Sequence, residues 1–550
     1  MPSAISLPAK PNALPYTHNS IVVSACGRYP RTTVVSGKED YFSNEQLHTD
    51  LKAKTVRGGI VAASAQGVTV VLSLAAIPIL SRLLDPADFG LIAMVSVFTG
   101  VAAMLVDAGL TMATVQRDEL THEQVSSMFW IATALGLLVA LIVAASSPAV
   151  AWFYDEPRLV PVTWAMASGP FLGGLTIQHQ ALLRRNMRLA QLAAVQVVSA
   201  FFGYAVAIAV AWRFRSYWAL VVLPVSVAAL RMAGTWAACS WRPSLPRRGA
   251  GVRAMVGFGA NLTGFNFVNY FARSGDNLLI GWAWGDTALG FYERAYKLMM
   301  APLQQINGPL AGVMIPALSR LNGQPIPYRA AYFRSISVLQ LVACPLMAFV
   351  AVMAPDVVRI AFGPDFGEAG PILRWLAIAG FIQPLLSSLG WLYVSQGRGR
   401  DLRNWGLVGC TLIVLSFVVG LPSGPLGVAR AYAIMTCLVV APLAIWFAGA
   451  AGAVTRADLA RSCGLALVSA APIVAVTSLV AYVVRPASSW DALALGATGS
   501  VIASAPLLLL TRRGRWILEQ FKQIALQARD IGIGREATPP VLEASNEPKS

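Results

Sequence analysis

The stretch NYFARSGDNLLIG, residues 269–281, sets Arg273, Asp276 and two asparagines into an otherwise apolar neighbourhood. Wound at 100° per residue, Asn266, Asn269, Tyr270, Arg273, Asp276 and Asn277 fall within an arc of about 120° and make one polar stripe. A charged group at the centre of a membrane helix costs at least ~2.5–3.5 kcal/mol, so the stripe must face a hydrated cavity or other polar groups and not lipid. Two chemistries fit it. Arg273 and Asp276, at i and i+3, can neutralise each other and join this helix to a neighbour. Alternatively, Arg273 offers a planar cationic fork to an anionic, phosphate-bearing substrate while Asp276 and the asparagines hold it.

The remaining polar candidates are scattered singly: Gln66, Asp107, Gln116, Arg231, Gln304, Gln305, Asn307, Gln383 and Arg430. Asp107, in LVDAGL, suits a protonatable coupling site and a buried packing contact equally well. Arg231 and Arg430 suit snorkelling to an interface, and would make a cavity positive if they faced one. His18, His48, His122 and His179 form no cluster, and Cys26, Cys239, Cys344, Cys410, Cys437 and Cys463 have neither metal nor disulfide spacing, so no metal is expected. There is no Walker loop, no GxSxG and no HExxH, which argues against an enzyme.

The elements that must position these residues follow from composition. The chain has 550 residues, 56% hydrophobic and 12% charged, against the roughly 25% charged of soluble domains. From residue 58 to 511, apolar runs follow one another, each long enough for the ~20 residues of a bilayer-spanning helix. The expectation is an all-α polytopic membrane protein with about fourteen transmembrane helices. The first six lie near 59–83, 89–114, 125–147, 159–179, 190–211 and 217–238. The next six lie near 256–284, 298–318, 335–354, 371–394, 404–422 and 426–449, and two more near 462–484 and 491–511.

The net charge of +16 is spread over many loops and not gathered in one basic domain, which argues against nucleic acid. Loops after even-numbered spans carry Arg184, Arg185, Arg247, Arg248, Arg398 and Arg400, whereas those after odd-numbered spans carry Asp85, Asp155, Glu156 and Asp286. The positive-inside rule then puts both termini in the cytoplasm. LLDPADFGLIAM after the first span and WAWGDTALGFYERAY after the seventh place Gly90 and Gly290 in matching positions. With an even division of the first twelve spans, this suggests two six-helix lobes able to rock around a central site. The expected organisation is a disordered cytosolic tail (1–57), an N-lobe (58–240), a C-lobe (241–450), two further spans (451–511) and a basic tail (512–550). In that last tail, residues 512–529 read as an amphipathic helix on the inner membrane surface. GPFLG (169–173) matches the GxxxG packing motif.

SRLLDPADFGLIAM (81–94), AWFYDEPRL (151–159), ALLRRNMRL (181–189), the run from 258 to 298 and IPALSRL (315–321) resemble the polysaccharide-exporter branch of the multidrug, oligosaccharidyl-lipid and polysaccharide flippase superfamily, of the exopolysaccharide and colanic-acid type. The resemblance covers about residues 51–450. It implies two six-helix lobes in a V-shaped bundle plus two C-terminal helices, and translocation of undecaprenyl-diphosphate-linked oligosaccharide repeat units across a bacterial inner membrane by alternating access. It implies no cofactor, coupling to a proton or sodium gradient in many members, and a polysaccharide polymerase and chain-length regulator as neighbours in the process. Trp282, Ala283 and Trp284 stand where relatives often carry a basic residue. A cation-coupled multidrug antiporter of the same superfamily is the alternative, favoured if Asp107 exchanges protons; a membrane polymerase or ligase lacks the large external loop it would need.

Overall fold

The computed structural model describes residues 51–107, 110–116, 120–246, 253–484, 486 and 488–510, all within one compact unit, Tyr41–Ser550. Side chains at 51–57, 60, 107, 112–113, 116, 253–269, 271–273, 309, 465 and 504–510 are outside that description. The expected N-terminal tail before residue 51 and the amphipathic helix at 512–529 lie outside it too.

The regular structure of the described residues is helical, with no strand among them. The helices are α1 (Leu51–Leu83), α2 (Pro86–Asp107), α3 (Leu110–Gln116), α4 (His122–Ala145), α5 (Ser147–Tyr154), α6 (Leu159–Met166), α7 (Ser168–Arg185), α8 (Leu189–Phe214) and α9 (Trp218–Ala238). There follow α10 (Arg253–Arg320), α11 (Pro325–Phe362), α12 (Ala369–Ser395), α13 (Gly399–Gly420), α14 (Gly424–Met435), α15 (Ala441–Ala448), α16 (Arg456–Ser478) and α17 (Ser489–Leu510). Nine helical segments among the described residues are long and apolar enough to cross a bilayer; one of them, Gly399–Ala448, runs through α13, α14 and α15. The chain is a multi-pass membrane protein.

Local chemistry sets several boundaries. α4 opens on a capping box, in which the Thr121 hydroxyl accepts from the Gln124 N–H and the Gln124 side chain accepts from the Thr121 N–H. The span expected at 159–179 is broken into α6 and α7, because Pro170 has no N–H to offer the Met166 carbonyl. The span expected at 89–114 is described as α2 and α3.

The largest departure concerns the seventh and eighth spans. A loop was expected from 285 to 297, but α10 is helical from Arg253 to Arg320 and interrupted only at Gly285, at φ +79° and ψ −171°, a conformation suited to glycine. The chain folds back at that residue. Asp276 and Tyr292 are 16 apart in sequence yet share a 3.0 Å hydrogen bond, whereas in a straight helix they would stand about 24 Å apart. The turn needs one residue because Asp286 starts the second arm at once: its carboxylate accepts from the Thr287 N–H at 2.5 Å and the Thr287 hydroxyl at 3.1 Å.

Buried apolar side chains form one cluster drawn wholly from residues 102–241 and another from residues 314–459. A third, running from Ala76 to Ala433, contains side chains of both halves. In the first half, GPFLG is not the packing contact. A Cβ on Gly169 or Gly173 would meet nothing within 4 Å, whereas one on Gly174 would lie 2.5 Å from the Ala132 carbonyl oxygen, and one on Gly136 2.8 Å from that of Pro170. The close crossing of α4 and α7 is one residue out of the motif's register.

The two halves meet where α2 crosses the second arm of α10. A Cβ on Gly90 would lie 1.7 Å from the Asp286 carbonyl oxygen, and one on Gly290 would lie 2.0 Å from the Pro86 carbonyl oxygen. The contact is reciprocal: each glycine receives the carbonyl four residues before the other. Around it, the Arg294 guanidinium sits 4.2 Å from the centroid of the Phe89 ring and is itself held by Glu293 at 2.9 Å. Glu293 also pairs with Lys297 and is 4% exposed. Arg158, from the segment between α5 and α6, binds both Glu156 carboxylate oxygens at 2.8 Å and reaches Asp286 at 2.8 Å.

Gly290→Ala would ordinarily stabilise a helix by up to ~1 kcal/mol. Here it should destabilise by about 1–3 kcal/mol, because the added methyl meets backbone that cannot rotate away; the Tm of detergent-purified protein checks this, and an unchanged or raised Tm would mean that α2 and α10 separate freely. The Arg158 hydrogen bonds hold the Glu156 carboxyl below its ordinary range. A lowered carboxylate contributes stability above its unfolded pKa and loses it as pH falls through its folded one. Acid should therefore loosen the junction, and Glu156→Gln should flatten that part of the Tm-against-pH curve.

Candidate functional site

Within the second half lies a cavity of about 770 Å³, walled by both arms of α10 and by α11, α12, α13 and α14. Of the residues singled out by sequence, it brings together Asp276, Gln304, Asn307 and Gln383. Asp276, 2% exposed, ends the polar wall. Its carboxylate accepts from the Tyr292 hydroxyl at 3.0 Å and from the Asn277 N–H at 2.8 Å. The Gln383 amide donates to the Tyr432 hydroxyl at 2.8 Å. Asn307 lines the cavity with a buried amide oxygen that has no hydrogen-bond partner among the described residues.

Other sequence candidates sit elsewhere. Tyr270 donates to the Ser96 carbonyl at 3.1 Å, and its hydroxyl fills the space left by Gly100, so this member of the stripe joins α10 to α2. Gln66 accepts from Gln196 at 2.9 Å and donates to Gln305 at 3.5 Å, a glutamine chain across α8, α1 and α10. Arg231 is exposed on α9, and Arg430, on α14, lies 5.9 Å from the centroid of the Trp375 ring of α12; neither lines the cavity. The Asn277 amide oxygen is buried outside the cavity lining. The side chains of Asn266, Asn269, Arg273, Asp107 and Gln116 lie outside the described residues.

Several residues that matter here carried no polar signal in sequence. Tyr292 and Tyr296, at i and i+4, stack with centroids 6.3 Å apart, Tyr292 binding Asp276 and Tyr296 facing the cavity. Trp405, on α13, gives the cavity an aromatic wall and packs at 5.7 Å on Phe447. Their spacing was visible, but tyrosine and tryptophan in membrane helices are usually read as interface residues. His179 is fully buried and stacked on Trp236 at 4.4 Å, far in sequence from the cavity walls. Among the described residues no three His, Cys, Asp or Glu side chains gather as metal ligands.

The family model described as "Polysaccharide biosynthesis protein" matches residues 79–371, more than half of the chain. The chain belongs to that family. Its first-half motifs, the Gly285 turn and most of the cavity's first two walls fall inside the match. Among curated relatives, this polysaccharide biosynthesis protein is similar to the "Succinoglycan biosynthesis transport protein ExoT" of Rhizobium meliloti, 26% identical over 454 residues (80% of this chain, 90% of the relative). It is also similar to the "Lipopolysaccharide biosynthesis protein WzxC" of Escherichia coli K12, 22% identical over 372 residues (67% and 76%). Among solved structures, the lipid II flippase MurJ in an inward closed conformation superposes with a TM-score of 0.63 at 12% identity, covering 82% of this chain and 98% of MurJ. An inward-facing multidrug transporter of the MATE family, MOP superfamily, gives 0.54 at 15% identity, covering 74% and 99%. At those identities the likeness shows a shared fold.

Tyr292→Phe should leave the buried Asp276 short of a donor and destabilise the protein by about 1–3 kcal/mol. A Tm equal to that of the wild type would show that Asp276 is fully satisfied without it.

Proposed function

We propose that this family member is a flippase that carries undecaprenyl-diphosphate-linked oligosaccharide repeat units from the cytoplasmic to the outer leaflet of a bacterial inner membrane, for exopolysaccharide synthesis. The observation that carries the reading is the 770 Å³ cavity with its buried carboxylate and amides inside an apolar helical bundle. A lipid head group of diphosphate and sugars has no favourable path through hydrocarbon, because each polar group stripped of water costs several kcal/mol (about 4–8 in a medium that offers no hydrogen bonds). A polar-walled cavity replaces those hydrogen bonds while the polyprenyl tail stays in lipid. The names of the relatives, succinoglycan transport and lipopolysaccharide biosynthesis among them, agree with this substrate class.

In this reading both termini are cytoplasmic, and two lobes, 58–240 and 241–450, rock about the site. The substrate drives the change only by binding the two states unequally. Arg273 serves the diphosphate, Asp107 is the carboxylate that exchanges a coupling ion, and a polymerase and chain-length regulator act on the product.

The test is complementation of a deletion strain. Loss of the gene should stop polymer export and leave lipid-linked repeat units in the inner leaflet; the wild-type gene should restore export, and Asp276→Ala, inserted at normal levels, should not. Polymer export at the wild-type level from the deletion strain would sink the reading. Collapsing proton or sodium gradients in proteoliposomes tests the coupling, and uptake indifferent to both would remove Asp107 from it.

A further inference from the structure

The described residues that line the cavity include none of the cations that a diphosphate asks for. Among the described residues that line it, Asp276 is the charged one, and no arginine or lysine faces the space. A diphosphate is held by cationic forks and charge-assisted hydrogen bonds. What the cavity offers instead is a tryptophan, two tyrosines and a row of amides.

Its glycines point the same way. Gly308 on α10, Gly390 on α12 and Gly406 on α13 all line it, and a Cβ on any of them would meet nothing within 4 Å. None has the positive φ that would demand glycine. A glycine in a helix interior costs about 1 kcal/mol relative to alanine, and at these positions neither packing nor backbone geometry asks for one. Elsewhere in the chain the glycines at helix crossings have plain steric reasons, as at Gly90, Gly174 and Gly290. Open helix glycines occur elsewhere too, Gly67, Gly169, Gly173 and Gly312 among them, but Gly308, Gly390 and Gly406, on three helices, share one cavity and keep its walls clear.

A pyranose ring fits such a space. One face of it carries C–H bonds, weakly positive and apolar, which lie well on the negative face of an indole. Its edge carries hydroxyls, each both donor and acceptor, which amide side chains can pair from both ends. Trp405 supplies the face. Asn307 lines the space with an amide whose oxygen has no partner among the described residues, and Gln383 lines it with an amide that donates to the Tyr432 hydroxyl. The volume lies within the roughly 300–1,000 Å³ of small-ligand sites.

We infer that the cavity between α10, α12 and α13 is a sugar subsite, in which Trp405 stacks on a pyranose of the repeat unit and Asn307 and Gln383 read its hydroxyls. The inference rests on the lipid-linked oligosaccharide reading above and assigns the glycan to this part of the molecule. Trp405 and the open glycines thereby set which repeat unit is accepted.

The test uses the full chain in lipid nanodiscs and two probes: undecaprenyl diphosphate, and lipid-linked repeat units extracted from the deletion strain. Trp405→Ala should weaken the glycosylated lipid about tenfold and leave undecaprenyl diphosphate within about twofold, the scale of one lost stacking contact. Trp405→Phe should recover most of the loss, and Gly406→Leu, which fills the space without touching Trp405's packing on Phe447, should again weaken only the glycosylated lipid. Wild-type affinity for the glycosylated lipid in both Trp405→Ala and Gly406→Leu, or equal loss of both lipids, would overturn the subsite. A wild-type protein that binds neither lipid would overturn the flippase reading itself, which keeps the two failures apart.

Discussion

Everything else in the molecule is arranged around the contact of two backbones at Gly90 and Gly290. With carbonyl oxygens standing where Cβ atoms would be, α2 and the second arm of α10 are closer than any side-chain packing would permit. Neighbouring residues reinforce that approach by different means. Phe89 receives the Arg294 guanidinium, Glu293 fixes Arg294 and Lys297, and Arg158 reaches from the α5–α6 segment to Asp286. These ties hold the halves together around the Gly285 turn, and the Tyr270–Ser96 and Gln66–Gln305 hydrogen bonds join them farther along α10. The cavity, farther along α10, is not filled by the other half.

The second constraint is that a membrane interior offers no water to a stray polar group. The chain answers it with pairs of short reach. Tyr292 meets Asp276, Tyr270 meets the Ser96 carbonyl, Tyr328 meets Ser395 and Tyr332 meets Ser388. Arg398 is spent in the same way, its guanidinium taking Asp401 and the carbonyls of Ala448 and Ala451. Several buried polar atoms have no partner among the described residues, and the Asn307 amide oxygen is the one of these whose residue lines the cavity.

The two constraints together describe how such a molecule handles a polar head group. Tight backbone contact at one end and a polar, roomy wall farther along are what a bundle needs if it is to admit a ligand from one side only.

The sequence by itself determined the class of the molecule and the rough place of its helices, because a bilayer demands long apolar runs whatever their neighbours. It also put Asp276 on a polar face, since helical periodicity assigns faces, and it marked Gly90 and Gly290 as equivalent. Periodicity does not name the neighbour across the gap. That Gly90 and Gly290 touch carbonyls in each other's segments, that Tyr270 leaves the stripe for α2, and that Asp276 is bound by Tyr292 were decided by how the helices cross. The fold-back at Gly285 illustrates the limit: residues 285–297 look like a loop because they are polar. They are helix because one glycine makes the whole turn, and their charged groups are consumed in contacts that only the assembled helices supply. Trp405 and the open glycines of the cavity were invisible for the same reason, since an empty space belongs to no residue and exists only between helices that have already packed.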